Sequence, residues 1–208
     1  MSVQPTPLLS APLAPASAKP RERILAAAYD LFARRGIRAV GIDAIIEQSG
    51  VARMTLYRHF ASKDDLVLAF LERRETLWTT AWLQAEVEHR AQQPIDQLLA
   101  IFDVLSDWFR LDSFEGCSFV NVMLETTDRG SAIRRASVLY LERSRAFVEA
   151  LAARAGIVDT AGFARKWHLL VKGAIVAAAE GDADAGQRAR QIGTLVLVAA
   201  LAIPPASD

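Results

Sequence analysis

From residue 20 onward the apolar side chains recur at intervals of three and four, and glycine and proline are sparse. That spacing lines one face of a helix, and it leaves no room for the alternate-residue rhythm of a half-buried strand. Ile24, Leu25, Ala28, Leu31 and Phe32 mark a first helix that starts near Pro20 and stops at Gly36. Ile42, Ile45 and Ile46 mark a short second one, ended by Ser49-Gly50, and a third runs from about Ala52 to Phe60. Ser62-Lys63-Asp64-Asp65 then opens a long helix reaching about Glu88, with a serine able to cap it and two acids where the helix dipole favours them. Further periodic sets follow. They are Ile95 to Phe109, a short stretch at 118–126, Ile133 to Leu151, Phe163 to Ala178, and Ile192 to Ile203 before Pro204-Pro205.

The expectation is an all-α chain of about nine helices, with a three-helix amino-terminal head on a helical-bundle body. A chain of 208 residues is long enough for both parts. Its apolar runs are short and broken by charges, which argues against a membrane span. Residues 1–18 are uncharged up to Ala18 and rich in Pro, Ala and Ser, and are expected to form a disordered tail. No basic segment precedes an apolar run there, as a secretory signal would require. The single cysteine, Cys117, cannot close an internal disulfide, which fits a reducing cytoplasm.

Charge is unevenly spread. The formal net charge is zero, yet residues 19–63 carry nine Lys or Arg against four acids, a local excess of +5. A basic head on an acidic body suits contact with a polyanion, although an unevenly charged soluble surface would look the same. Within that head, residues 42–59 have the outline of a helix-turn-helix: two short helices around a glycine that can take the left-handed backbone of the turn. Val51 and Leu56 are placed to pack beneath the turn. Arg53, Met54, Thr55, Arg58 and His59 form the outer face of the second helix, and arginine can pair with guanine while methyl-bearing side chains meet thymine. A plain helical hairpin that touches no DNA would share the outline.

The run Gly50-Val51-Ala52-Arg53-Met54-Thr55-Leu56-Tyr57-Arg58-His59-Phe60-Ala61-Ser62-Lys63-Asp64-Asp65-Leu66 resembles the signature of the TetR family of transcription regulators, and Arg21 to Gly36 resembles that family's first helix. The resemblance covers about residues 20–66. It implies that Tyr57 and Lys63 meet phosphates, that Thr55 and Tyr57 offer hydroxyls to backbone or base, and that Arg53, Met54 and Arg58 read sequence. His59 is read as packing or touching a phosphate. Two departures stand out: Gly41 replaces the usual Ser or Thr before the second helix, and Ala52 replaces the usual Ser before the third. Gly41 is still counted among the DNA-facing positions. The implied division is a tail (1–18), a helix-turn-helix domain (19–65) and a ligand-binding and dimerisation body (66–208).

In the body, the last two helices are the expected dimer interface. Leu170, Val171, Ala174, Ala177 and Ala178 represent the first of them, and Ile192, Leu195, Val196 and Ala199 the second. The resemblance implies a four-helix bundle between two copies, which places two heads on one double-stranded operator, about one turn of DNA apart. It also implies an effector pocket in the middle helices. The aromatic candidates are Trp78, Trp82, Phe102, Trp108, Phe119, Tyr140, Phe147 and Trp167, with Met123; the polar ones are Asn121, Glu125 and His168. Ordinary core packing accounts for each of these taken singly. Their balance favours a small, largely apolar or aromatic effector. Cys117 sits between Glu115 and Phe119, surroundings that suit a buried small hydrophobe better than a redox sensor. Three scattered histidines and one cysteine give no metal-ligand spacing, and no nucleotide fingerprint or cofactor motif is present, so an enzyme is not expected. The alternative function is a helical dimer that binds small molecules or proteins without DNA.

Overall fold

The computed structural model describes residues 14–15 and 17–202. Most of the expected tail, and the Pro204-Pro205 stop, lie outside the described residues. Among those residues there is no strand. The helices are α1 (Pro20–Arg35), α2 (Ile42–Ser49), α3 (Arg53–His59), α4 (Lys63–Arg74), α5 (Ala85–Arg90), α6 (Pro94–Phe109), α7 (Ser118–Glu125), α8 (Ala132–Arg154), α9 (Thr160–Ala179) and α10 (Ala185–Leu201). A π-helical stretch, Glu75–Gln84, joins α4 to α5 without a break, so ten α-helices make nine rods among the described residues.

The boundaries have local causes. Pro20 and Pro94 stand in the first turns of α1 and α6, where a missing N–H costs nothing. Ser62 and Asp65 form a reciprocal capping box at α4: the Asp65 N–H donates to Ser62 Oγ at 3.0 Å, and the Ser62 N–H donates to Asp65 Oδ2 at 3.1 Å. By contrast, Ala52 at the N-cap of α3 has capping backbone angles (φ −71°, ψ 148°) but no side-chain acceptor. Replacing Ala52 with Ser should supply that acceptor and add about 1 kcal/mol of stability. A rise in thermal midpoint of roughly 2–4 °C, followed by circular dichroism, is the expected readout.

The chain divides into two compact units: Met1–Thr80 with Cys117–Tyr140, and Ala81–Gly116 with Leu141–Asp208. The 19–65 segment lies wholly inside the first unit, which also holds α4 and α7. In this unit α1 is the axle. It packs against α2, α3 and α4, and its residues Ile24 to Phe32 are all buried, with Ala26, Ala27 and Ala28 letting neighbours approach closely. Tyr29 and Phe32 meet Phe70 of α4 edge-on at 5.3 and 5.7 Å. Arg74 is buried too; its guanidinium donates to Tyr29 Oη at 3.0 Å and lies over the Tyr29 and Trp78 rings. The α1–α2 turn is fastened from far along the sequence, because the Arg38 N–H donates to Glu125 Oε2 at 2.9 Å. Arg134 of α8 in turn donates to the carbonyls of Met123 and Thr126, holding the end of α7.

In the second unit α6, α9 and α10 pack together, with α5 against α6. Phe102 and Trp167 are fully buried, their ring centroids 5.0 Å apart, and Phe163 stacks on Trp167 at the same spacing. Trp108 sits amid Trp82, Phe109 and Phe114. Gly186 and Gly193 are buried on the inner side of α10, facing Phe102 and Ser106 of α6.

Candidate nucleic-acid interface

The turn between α2 and α3 is built from three contributions. Gly50 takes the left-handed backbone (φ 63°, ψ 28°), which a side chain would strain. Its N–H closes α2 on the carbonyls of Ile46 and Glu47. Arg23 of α1 reaches across and donates to the carbonyls of Ser49 and Gly50 at 2.6 and 3.0 Å. A cation on the carbonyl end of a helix also suits its dipole. Gln48 donates to Asp30 at 2.7 Å, so α2 is bolted to α1 at two polar points.

This frame fixes which side of α3 faces out. Leu56 (0% exposed) and Phe60 are buried one turn apart, and Val51 is buried under the turn, as the spacing predicts. The opposite face carries Arg53, Met54, Tyr57, Arg58 and His59, all exposed, with Met54 at 82%, while Thr55 is half-buried. Methionine at that exposure has no packing role in this unit, and an apolar side chain held out among cations suits contact with a base methyl. Lys63 stands half-buried at the first position of α4, beside free helix N–H groups, a good seat for a phosphate. Gly41 is exposed at the N-cap of α2 in extended backbone, with open space where a Cβ would stand. His59 is not packed: it lines an open groove of about 710 Å³ with Tyr57, Arg58, Arg21, Glu72 and Tyr140. Arg21 lies over the Phe60 ring, 5.1 Å from its centroid, and so brings a further cation to this edge. Sequence reasoning missed the parts played by Arg21 and Arg23, because they depend on how the helices cross.

Residues 24–70 match the family profile described as bacterial regulatory proteins, tetR family. A solved TetR-family transcriptional regulator from Streptomyces coelicolor is 30% identical to this chain, with a TM-score of 0.80 over 87% of this chain and 95% of that one. The chain belongs to the TetR family. As a member it is a helix-turn-helix, DNA-binding transcription regulator. A second solved relative, a putative TetR-type transcriptional regulator from Streptomyces avermitilis, is 28% identical with a TM-score of 0.72, covering 88% of this chain and 98% of that one. The HTH-type transcriptional activator FasR of Mycolicibacterium smegmatis is 45% identical over 53 residues, a match that spans 26% of this chain and 24% of FasR.

The TetR-type body shows where the remaining candidates stand. Leu169 and Val176 of α9, and Ile192, Leu195 and Val198 of α10, are large apolar side chains left between 49% and 70% exposed. Of the expected interface residues, Ile192, Leu195 and Ala199 share this outer face; Leu170, Val171, Ala177, Ala178 and Val196 are half-buried at its margin. Ala174 is buried inside the second unit, so it fills a seam within the chain. Leu169, Val176 and Val198 belong to the outward face and were not among the expected residues.

The effector candidates fall in both units. Trp78, Phe119, Asn121, Met123 and Tyr140 are in the first, and Trp82, Phe102, Trp108, Phe147, Trp167 and His168 in the second. Phe119 and Tyr140 contact each other at 5.3 Å, and Asn121 is exposed. Phe102 and Trp167 are taken up by packing beneath Gly193. Burial lowers the pKa of His168 to about 4, with Lys172 and Arg145 adding repulsion, so it is neutral at pH 7 and offers no positive charge to an anion. Glu125 is engaged by the Arg38 backbone and is not a free polar group for a ligand. Cys117 is half-buried, not enclosed, because it occupies the N-cap of α7 where the chain enters the helix from extended backbone. Among the described residues no group of three or more His, Cys, Asp or Glu could hold a metal ion, and no helix is long and apolar enough to cross a membrane.

Proposed function

We propose that this TetR-family regulator binds a two-half-site operator as a homodimer and represses transcription until a small, largely apolar or aromatic effector releases it. The observation that carries the DNA-reading part is the division of α3. Leu56 and Phe60 anchor one side, while Arg53, Met54, Tyr57, Arg58 and His59 are held out on the other. The dimer reading is supported by the exposed Leu169, Val176, Ile192, Leu195 and Val198, too much apolar surface on two adjacent helices for a monomer. The effector reading is supported by the density of aromatic side chains, with Trp82, Trp108, Phe109 and Phe114 in one cluster. A cytoplasmic location follows from the proposed role.

The test is selection of a preferred duplex from a randomised pool, followed by fluorescence anisotropy at several salt concentrations. Lys63→Ala should weaken binding to every duplex and lower the salt slope by about 1. Arg53→Ala should instead relax choice at one base pair, by about 1–3 kcal/mol. Failure of the chain to enrich any duplex would favour a helical binding module without DNA. If a duplex is enriched, its release by a panel of small aromatic compounds tests the effector.

A further inference from the structure

We infer that Asp43 is a specificity-determining residue: its carboxylate, on the first turn of α2, holds the guanidinium of Arg53, at the first position of α3, and withholds that arginine from DNA phosphates in general. This rests on the DNA-reading function proposed above. Both side chains face solvent, Asp43 with 81% of its side chain exposed and Arg53 with 56%. The pair therefore does little for the fold, since exposed ion pairs are weak in water. Its position gives it another consequence. It lies at the start of the helix expected to enter the major groove, so the acid is carried toward a polymer with one negative charge per roughly 1.7 Å of axis.

Two situations then differ. On a duplex of arbitrary sequence, Arg53 gains most by turning to a phosphate, and to do so it must leave Asp43 as a bare carboxylate facing like charge. On a duplex with guanine in register, Arg53 can stay paired. The contact with Asp43 uses Nη2, and a guanidinium has five N–H donors, enough to hold a carboxylate on one side and guanine O6 and N7 on another. The carboxylate thus penalises the wrong partner more than the right one, which is how repulsion produces selectivity. It also narrows the directions in which Arg53 points before DNA arrives. A first-turn acid suits the dipole of α2, but Asn in the same place keeps the shape and removes only the charge.

The experiment compares the full chain with Asp43→Asn, Arg53→Ala and the double variant. Two fluorescent duplexes of equal length are used: the one enriched by the unaltered chain from a randomised pool, and one of scrambled sequence. Asp43→Asn should tighten binding to the scrambled duplex by about three- to tenfold, steepen its salt slope by about 1, and narrow the ratio between the two duplexes by about threefold or more. In the Arg53→Ala background the same change should leave the ratio where Arg53→Ala alone puts it. An unaltered ratio in Asp43→Asn overturns the inference. So does an equal narrowing without Arg53, since the acid would then act by repulsion alone. A chain that enriches no duplex overturns both this and the proposed function, whereas an enriched duplex with an unaltered ratio overturns this alone.

Discussion

Replacing Leu195 with Asp is expected to convert the regulator to a monomer and to weaken its hold on the preferred duplex by about a hundredfold or more. Leu195 is 70% exposed on α10, between Ile192 and Val198 on the same outward face, so the change removes nothing from the core of its own chain. In a symmetric dimer the residue occurs twice. Each copy forfeits about 1.5–3 kcal/mol of apolar burial and sets a carboxylate where water is excluded. Together these exceed about 4 kcal/mol, which corresponds to roughly a thousandfold in the dimerisation constant. A monomer presents one α3 to one half-site and loses the second, so operator affinity falls with it. Sedimentation velocity gives the mass, anisotropy gives the affinity, and an unaltered circular dichroism spectrum shows that the fold persists. An unchanged mass would move the dimer contact away from α9 and α10.

The same face shows why some of this protein is legible in its sequence and some is not. Helix ends were readable because they have local causes. Gly36, Gly50, Gly156 and Gly181 all take positive φ, and each stands at or just past a helix end. The inward side of α3 was readable because the helix is short and only Leu56 and Phe60 fall a turn apart. In α9 the rule loses its grip. Nearly every position from Leu169 to Ala179 is apolar, so periodicity groups residues into faces without saying which face meets α6 and α10 and which meets solvent. Periodicity therefore points to Leu170, Val171 and Ala174, while the large apolar side chains that α9 leaves exposed are Leu169 and Val176. The π-helical stretch Glu75–Gln84 escaped for a related reason: its apolar residues fit a helix of either pitch. Asp43 with Arg53, Arg23 with the Gly50 turn, and Glu125 with Arg38 join residues 10, 26 and 87 positions apart, or thereabouts, and depend on crossing angles that no local pattern encodes.

Gly193 offers the sharpest test of how the body is assembled. Glycine inside a helix costs about 0.5–1 kcal/mol relative to alanine, so its place in the middle of α10 calls for a packing reason. The structure supplies one: a Cβ on Gly193 would stand 2.7 Å from Phe102 Cε2 and 3.1 Å from Trp167 Cη2. Neither ring can swing away, since both are fully buried and lie 5.0 Å apart, with Phe163 stacked behind Trp167. Gly193→Val must therefore lift α10 from α6 and α9 or force the rings off their rotamers, at about 3 kcal/mol or more. For a chain of this size that lowers the thermal midpoint by roughly 6–12 °C. Because Ile192, Leu195 and Val198 ride on the outer side of the same helix, the dimer should weaken as well. Trimming the obstructing ring with Phe102→Leu in the same chain should return part of the loss, because two residues in contact do not add independently. If Gly193→Val melts with the unaltered protein, α10 does not seat against α6 through this glycine, and the packing of the second unit must be redrawn.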